Sequence, residues 1–294
     1  MKVIPGPASR ELGEKIARLS GFERITVAYK VFPDGENYVR LEGNVQNDHV
    51  AIVQTTSAPQ DTNLMQLAFI AAAAKRNAAQ KVTAVIPYLA YARQDKVFLK
   101  GENANIETVA AMLHTAGVDD LITVNVHSEK ALGKFPFPAA NLTAIPLLAE
   151  HFVLSGFKEA FALAPDKGAM YIAEQAQRVL GGGAGYLEKQ RDPYTGYTTQ
   201  TGKNLEVKGQ KVIIFDDIIS TGGTIVGAAR ILHEQGAKQV FAACVHPLLI
   251  GDAEKRILDA GVEEIVGTDS VPRRASKVSL ASLISNELKA KQSG

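Results

Sequence analysis

Short apolar runs suited to buried strands alternate with helical patterns along nearly the whole of this 294-residue chain. The strand-like runs cover residues 25–29, 50–54, 82–87, 121–125, 160–164, 212–215, 240–245 and 264–268. The helical patterns cover residues 9–19, 64–76, 106–116, 145–152, 170–180, 225–235 and 253–260. This order predicts an α/β fold with mainly parallel sheets flanked by helices, in which functional side chains collect at the carboxyl ends of the strands.

A weak internal repeat predicts two similar domains, the number that this length suggests. Residues 52–64 can be laid over residues 213–225, because each segment passes from an apolar strand through a polar loop into a helix. In this register Thr55 and Thr56 stand in the first copy where the second copy has two aspartates. The predicted domains are residues 1–144, joined by a C-terminal helix at 280–294, and residues 145–279.

The composition indicates an ordinary soluble globular protein, since 46% of the residues are hydrophobic and 21% are charged. The formal net charge of +1 does not point to nucleic acid or an anionic membrane as a partner. No apolar run approaches the length of a membrane span, and the first residues lack a signal-peptide pattern. The single cysteine, Cys244, excludes an intramolecular disulfide. We therefore expect a cytoplasmic protein without nucleic acid or membrane partners.

The segment from residue 212 to residue 224 carries the most informative motif. Four apolar residues precede two adjacent acids, and a loop of small residues then opens into a helical pattern. Small residues let backbone N–H groups close around a phosphate, while the acids can reach vicinal hydroxyls directly or through a metal ion. The alternative is a strand end whose acids cap the next helix. The motif predicts a site for a ribose 5-phosphate unit, formed by Asp216, Asp217, Ser220, Thr221, Gly222, Gly223 and Thr224.

A turn signal follows the first predicted strand, in the run Phe32-Pro33-Asp34-Gly35-Glu36. The ring of Phe32 could stack on a nucleobase, and the carboxylates of Asp34 and Glu36 could accept hydrogen bonds from an exocyclic amine. Taken alone, the same run is also typical of an ordinary surface turn.

Two more polar clusters follow predicted strands in the first half. Arg93, Gln94 and Asp95 come after the strand at 82–87, where an arginine offers bidentate hydrogen bonds to phosphate oxygens. A solvated charged loop would have the same composition. His127 comes after the strand at 121–125, and its imidazole could bind a divalent cation, contact a phosphate or be purely structural.

The least structured internal stretch covers residues 181–209, which include three consecutive glycines and a threonine-rich segment. Such a composition predicts a hairpin or flap with mobile ends. Lys189 and Arg191 lie within it. They are either functional cations or solvated charges on the flap.

Together these motifs resemble those of the ribose-phosphate diphosphokinase (phosphoribosyl-diphosphate synthetase) family. The resemblance covers nearly the whole chain and is most specific at residues 87–96 and 216–224, because phosphoribosyltransferases share the second segment but lack the first. It implies two phosphoribosyltransferase-like domains with the active site between them. The implied reaction is Mg²⁺-dependent transfer of the diphosphoryl group of ATP to the 1-hydroxyl of ribose 5-phosphate, which yields AMP and phosphoribosyl diphosphate.

The resemblance also implies a role for each candidate residue. The first domain would bind ATP, and the second would bind ribose 5-phosphate through the residues named above. The ATP contacts would be Phe32, Asp34, Glu36, Arg93, Gln94 and Asp95, the first three from a neighbouring subunit of a homodimer or larger homo-oligomer. The metal-site residues would be His127 and Asp166, and the catalytic cations of the flap would be Lys189 and Arg191.

One position departs from the family pattern. Asn125 stands two residues before His127, where many members have an acidic residue, which leaves Mg²⁺ placement at this strand end open. Two other functions also stay open. A phosphoribosyltransferase would explain residues 216–224 but not residues 32–36 or 87–96. A non-catalytic relative that regulates active subunits would be expected to lack flap cations or metal-site residues, which this chain retains.

Overall fold

The computed structural model describes residues 1–191, 198–201 and 205–293. The chain divides into two compact units. Unit 1 consists of Met1–Leu142 with Ser279–Gly294, and unit 2 of Thr143–Val278. Within the described residues, no helix is both long enough and apolar enough to cross a membrane.

Unit 1 is built on a six-stranded parallel sheet with the order β2-β1-β5-β6-β7-β8. An antiparallel hairpin of β3 and β4 lies outside this sheet. The strands are β1 (Lys2–Pro5), β2 (Glu23–Arg24), β3 (Thr26–Val31), β4 (Asn37–Glu42), β5 (His49–Val53), β6 (Lys81–Ile86), β7 (Asp120–Val124) and β8 (Ala139–Leu142). The helices of this unit are α1 (Arg10–Ser20), α2 (Gln60–Arg76), α3 (Asn105–Thr115) and α8 (Ala281–Ser293).

Unit 2 has a second six-stranded parallel sheet, with the order β10-β9-β13-β14-β15-β16. Here too an antiparallel hairpin, of β11 and β12, lies outside the sheet. The strands are β9 (Phe161–Ala164), β10 (Ala184–Tyr186), β11 (Glu188–Arg191), β12 (Thr198–Thr201), β13 (Lys211–Ile219), β14 (Gln239–Pro247), β15 (Val262–Thr268) and β16 (Ser276–Val278). Its helices are α4 (Ile145–Leu154), α5 (Met170–Leu180), α6 (Gly223–Glu234) and α7 (Ala253–Asp259).

The two units repeat one topology. In both units the chain forms an edge strand, then the antiparallel hairpin, and then a central strand of the sheet. That central strand is β5 in unit 1 and β13 in unit 2. This confirms the predicted α/β fold with two similar parallel-sheet domains. The hairpin of β11 and β12 also agrees with the flap predicted in residues 181–209.

One predicted strand has a different place. The run at 25–29 belongs to β3, which pairs with β4 in the antiparallel hairpin rather than with the parallel sheet. The position next to β5 is taken by β1, which the pattern did not predict. An apolar run shows that a strand is buried on one side, but its partner is set by contacts far along the chain. The strand predicted at 212–215 also continues to Ile219, so both acids lie within β13.

The central strands are apolar on both faces because helices cover both sides of each sheet. β5 from residue 50 to residue 53 and β13 from residue 212 to residue 215 are fully buried. Val50 and Ile52 belong to a hydrophobic core of unit 1, and Val212 and Ile214 to one of unit 2. Cys244 is buried in β14, and this burial raises the pKa of its thiol. The cysteine is therefore a small core residue, as predicted.

Candidate active site

Asp216 and Asp217 lie side by side near the carboxyl end of β13. The N–H of Asp217 donates to Asp216 Oδ1 at 2.9 Å, and the N–H of Ile218 donates to Asp217 Oδ1 at 2.8 Å. Both residues are half-buried. Each carboxyl is thus oriented by a backbone donor, and that of Asp216 is the more strongly desolvated.

The surroundings of Asp216 favour its neutral form. Desolvation by the protein raises the pKa of its carboxyl well above the usual range, and the charges of Asp217 and Asp166 raise it further. Three acids therefore influence one another at this edge of unit 2. Cations or hydroxyl donors brought by a ligand would relieve that repulsion.

The 220–224 loop connects β13 to α6 and presents backbone donors. Among the described residues, none of its five N–H groups donates to a protein acceptor. The first helical residue, Gly223, is exposed, and α6 has no side-chain cap at its start. Because unpaired N–H groups at a helix start attract anions, the loop has the chemistry of a phosphate site.

Gly222 shapes this loop. Its φ of +79° lies in the left-handed region, and a Cβ atom here would stand 2.8 Å from Ile257 Cδ1 and 3.0 Å from Ile257 Cγ1. A side chain would therefore be both strained and crowded at this position.

The segment after β14 supports the loop from its carbonyl side. The N–H of Leu249 donates to the carbonyl of Ile219 at 3.0 Å, and the N–H of Ile250 donates to that of Ser220 at 3.0 Å. Arg256 Nη1 lies 3.5 Å from the carbonyl of Thr221. The carbonyl groups are thus occupied by protein donors while the N–H groups are not. The motif gave no indication of this support, which comes from a segment about thirty residues further along the chain.

Asp166 follows β9, the neighbour of β13 in the sheet. Its Oδ1 accepts a hydrogen bond from the N–H of Ala169 at 3.2 Å and caps a short 3-10 turn. Its charge contributes to the raised pKa of Asp216. Asp166 therefore lies close enough to Asp216 for their charges to interact.

In unit 1 the clusters after β6 and β7 are joined. Ser128 Oγ donates to Asp95 Oδ2 at 2.7 Å, and this hydrogen bond lowers the pKa of the Asp95 carboxyl. Arg93 and Gln94 are exposed in the same loop, and the N–H of Gln94 donates to the carbonyl of Tyr91 at 2.9 Å. Asp95 is therefore held in its charged form beside an exposed arginine. Ser128 had no role in the sequence interpretation, although it directly follows the candidate His127.

His127 is exposed immediately after β7. Asn125, at the departure from the family pattern, is buried with a φ of +39°, and its N–H donates to the carbonyl of Leu142. The N–H of Val126 donates to Asn141 Oδ1 at 3.0 Å. The backbone before His127 is thus held by β8 and its side chains, whichever residue occupies position 125.

The 32–36 turn closes the hairpin of β3 and β4. The N–H of Phe32 donates to the carbonyl of Glu36 at 2.8 Å, and Asp34 Oδ1 accepts from the N–H of Glu36 at 3.1 Å. Gly35 has a φ of +92°. Phe32 is 37% exposed, with Lys30 Nζ 4.4 Å from its ring centre. Among the described residues, the hydrogen bonds and ring contacts of this turn stay within the hairpin, so it is not joined to the cluster around Asp95.

Lys189 and Arg191 lie in β11, where the backbone of Lys189 is opposite Gln200 and that of Arg191 is opposite Thr198. Their side chains fall outside the description.

The donors fit a hard divalent cation. No group of three or more His, Cys, Asp or Glu side chains in the described part of the chain forms a complete metal cage. Mg²⁺ commonly binds through one or two carboxylates together with substrate phosphates and water. Asp216, Asp217 and Asp166 supply carboxylate oxygen at an edge where like charges repel, which matches that mode of binding.

Comparison with known proteins covers both units. Residues 1–117 match the family model of the N-terminal domain of ribose phosphate pyrophosphokinase, and residues 140–282 match the phosphoribosyl transferase domain. A ribose-phosphate pyrophosphokinase of Methanobrevibacter smithii is 39% identical to this chain, over 98% of the chain and 99% of that protein. The chain belongs to the ribose-phosphate pyrophosphokinase family.

Two other members of the ribose-phosphate pyrophosphokinase family are also similar to the whole chain. The enzyme of Methanothermobacter thermautotrophicus is 40% identical over 98% of this chain and 99% of its own length. The crystal structure of phosphoribosylpyrophosphate synthetase from Mycobacterium smegmatis superposes with a TM-score of 0.88 at 30% identity, covering 100% of this chain and 99% of that one. The resemblance identified from the motifs is confirmed, and the chain is an enzyme of this transferase family.

Proposed function

We propose that this enzyme transfers the diphosphoryl group of ATP to the 1-hydroxyl of ribose 5-phosphate. The hydroxyl oxygen bonds to the β-phosphorus, the bond from that phosphorus to the α,β-bridging oxygen breaks, and AMP leaves while the hydroxyl proton is released. The observation that supports this best is the 220–224 loop, which lies beside two acids and whose N–H groups have no acceptor within the described part of the chain. Family similarity along the whole chain favours this reaction over that of a phosphoribosyltransferase.

The sugar phosphate would bind to unit 2. The N–H groups and hydroxyls of the 220–224 loop would hold the 5-phosphate, while Asp216 and Asp217 would accept hydrogen bonds from the ribose hydroxyls. Because the reaction requires little covalent participation by the protein, most of the rate would come from positioning and charge neutralisation.

The nucleotide would bind to residues of unit 1. Phe32, Asp34 and Glu36 would contact the adenine, and Arg93, Gln94 and Asp95 would contact the rest of the nucleotide. Following the family, the 32–36 turn would serve a neighbouring subunit, which requires at least a homodimer. Light scattering on the active enzyme would test this, since a fully active monomer would contradict it.

His127 in unit 1 would contact Mg²⁺ and phosphate oxygens, and Asp166 in unit 2 would serve a second Mg²⁺ near the ribose. The metal would neutralise charge on the transferred group. Lys189 and Arg191 would approach the β-phosphate from the flap, whose closure would exclude water from ATP. Asn125 supplies a neutral oxygen where other members have an acid, so we expect metal binding near His127 to depend more on the nucleotide.

The decisive experiment is incubation of the enzyme with ATP, ribose 5-phosphate and Mg²⁺, without a nucleobase, with products followed by phosphorus NMR. We expect equal amounts of AMP and phosphoribosyl diphosphate. Lys189→Ala should lower turnover by about 100-fold or more while ATP affinity changes only a few-fold. Lys208→Ala, an exposed lysine of unit 2, is the matched control. Absence of AMP from the wild-type reaction would favour the non-catalytic alternative.

A further inference from the structure

The hairpin of β3 and β4 needs support from outside itself. It has only two strands, and neither pairs with the parallel sheet of unit 1. An isolated two-stranded hairpin is marginal in water. Side chains near its tip are considerably exposed, including Val31 at 51% and Phe32 at 37%. Something else must therefore fix the orientation of the 32–36 turn.

Gln66 of α2 supplies such a support. Its side chain is only 2% exposed, and its Nε2 donates to Tyr29 Oη and to Asn37 Oδ1, both at 3.0 Å. Tyr29 and Asn37 flank the turn, one on each strand of the hairpin. A single amide thus binds both strands beside the 32–36 turn.

The side-chain amide of Gln66 is itself held by the side chain of Gln54. Gln54 Nε2, which is completely buried, donates to Gln66 Oε1 at 3.1 Å and to the carbonyl of Asn63 at 3.3 Å. Gln54 Oε1 accepts from the N–H of Ala8 at 3.0 Å. Every donor and acceptor of the two side-chain amides has a partner, which makes the network rigid.

We propose that Gln66 is a positioning residue for the nucleotide base: through Tyr29 and Asn37 it sets the orientation in which the 32–36 turn meets adenine. This inference rests on the proposed function, because it assigns the turn to the base of ATP. It concerns the base alone. The phosphates would be bound by the cluster around Arg93, which the network does not contact through any hydrogen bond of the described residues.

Two substitutions separate positioning from general packing. Gln66→Leu keeps the volume but removes the hydrogen bonds from Gln66 Nε2 to Tyr29 Oη and Asn37 Oδ1, and the one that Gln66 Oε1 accepts from Gln54 Nε2. Gln54 Nε2 keeps its bond to the carbonyl of Asn63, and Tyr29 Oη keeps its 3.4 Å contact with Asn37 Oδ1, so the hairpin loses its link to α2 through this amide. Gln66→Glu keeps an acceptor for Gln54 and for the hydroxyl of Tyr29, and Asn37 can turn its amide to donate to the carboxylate. The glutamate variant should therefore retain the hairpin orientation that the leucine variant loses. Gln80→Leu makes the same chemical change at an exposed position of unit 1 and is the control.

The experiment measures initial rates against ATP concentration at saturating ribose 5-phosphate and Mg²⁺. A second series measures inhibition by inorganic triphosphate, which carries the phosphates without a base. We expect Gln66→Leu to raise KM for ATP about 10-fold. Turnover, KM for ribose 5-phosphate and the inhibition constant of triphosphate should stay within about 2-fold. Gln66→Glu and Gln80→Leu should resemble the wild type.

Several outcomes would overturn the proposal. An unchanged KM for ATP in Gln66→Leu would do so, as would an equal rise in the triphosphate inhibition constant, because both would show that the base is not specifically affected. If Gln66→Leu does not fold, Tyr29→Phe is the second variant: it removes the hydroxyl that accepts from Gln66 and donates to Asn37, and it should raise KM for ATP about 3-fold. No rise there would equally reject the proposal. A wild-type enzyme that forms no AMP would instead contradict the proposed function.

Discussion

The strand ends of β5 and β13 occupy the same place in the same strand order, yet their residues differ. In unit 2 Asp216 and Asp217 are half-exposed beside the 220–224 loop, whose N–H groups have no acceptor among the described residues. In unit 1 residues 54–56, which align with residues 215–217, are held by protein acceptors. The N–H of Gln54 donates to Val85 at 2.9 Å, that of Thr55 to Ser9 Oγ at 2.8 Å and that of Thr56 to Tyr88 at 3.0 Å.

The difference explains why we propose a sugar-phosphate site in unit 2 and none in unit 1. Thr55 and Thr56 are buried, whereas Asp216 and Asp217 remain half-exposed. With threonines in place of the acids, the strand end of unit 1 has no carboxylates to accept hydrogen bonds from a diol. Because Thr55 and Thr56 are buried, we interpret this strand end as structural. Gln54, the neighbour of Thr55, supports the hairpin through Gln66.

The sharpest way to break the contrast is to give unit 2 the residues of unit 1. We expect the double variant Asp216→Thr and Asp217→Thr to lose about 1,000-fold in turnover, because the ribose hydroxyls lose both acceptors. Product formation by phosphorus NMR measures this, and circular dichroism checks the fold. A loss of less than 10-fold would remove the two acids from sugar binding.

Placing an acid of unit 2 at the aligned position of unit 1, as in Thr55→Asp, should affect folding rather than catalysis. Thr55 is completely buried, and its hydroxyl has no hydrogen-bond partner among the described residues. We expect Thr55→Asp to lower the free energy of unfolding by about 3 kcal/mol, because an unpaired carboxyl would be desolvated. Urea unfolding measures this. Thr55→Val is the control and should be close to wild type; an equally stable aspartate variant would show that this strand end is open.

A smaller effect should follow from crowding the 220–224 loop. We expect Gly222→Ala to raise KM for ribose 5-phosphate about 30-fold, since the new Cβ meets Ile257 and strains the backbone. Gly209→Ala separates the two causes. Gly209 also has a positive φ, +73°, but nothing lies within 4 Å of its Cβ position. Equal KM values for Gly222→Ala and wild type would show that the loop conformation is not needed.

The smallest effect concerns pH. The pKa of Asp216 is raised in the folded protein, so above about pH 4 the folded state holds a proton that the unfolded state has released. Stability from this group is therefore present at low pH and falls as pH rises toward the folded-state pKa. We therefore expect the free energy of unfolding of Asp216→Asn, relative to that of wild type, to increase as pH rises. Urea unfolding at several pH values without divalent metal measures this difference. A difference independent of pH would contradict the raised pKa.

The sequence predicts most elements of this fold because helices and buried strands leave local patterns. Every helix found by periodicity is present, and α5 has the predicted bounds. β1 escapes prediction because it has four residues and ends in a proline. The pattern at 25–29 predicted a strand but not its partner for a related reason, since an apolar run is the same whether the partner is antiparallel β4 or a parallel strand.

Parts of the candidate site could likewise be predicted from local sequence, whereas other parts could not. The acids and the 220–224 loop are contiguous in sequence, so their chemistry could be inferred from order alone. Other contacts join residues that are far apart in the sequence, so no motif spacing reveals them. These are the hydrogen bonds that Leu249 and Ile250 donate to the 219–220 carbonyls, and the one between Gln54 and Gln66. A weak signal did exist for Gln66, because it lies between the buried Leu64 and Leu67 of an apolar helix. The individual roles assigned to site residues stay predictions.

The discontinuity of unit 1 has a consequence for how the protein is made. Asp120 is almost wholly enclosed, with 2% of its side chain exposed, and Lys291 Nζ of α8 lies 2.9 Å from its Oδ2. A ribosome must translate all of unit 2 before it reaches that lysine. During this interval Asp120 has Lys81, at 3.5 Å, as its cationic neighbour. Until α8 is synthesised and packs on the first unit, the Asp120 carboxylate lacks its ion pair with Lys291, and the face of α1 that contacts α8 stays uncovered.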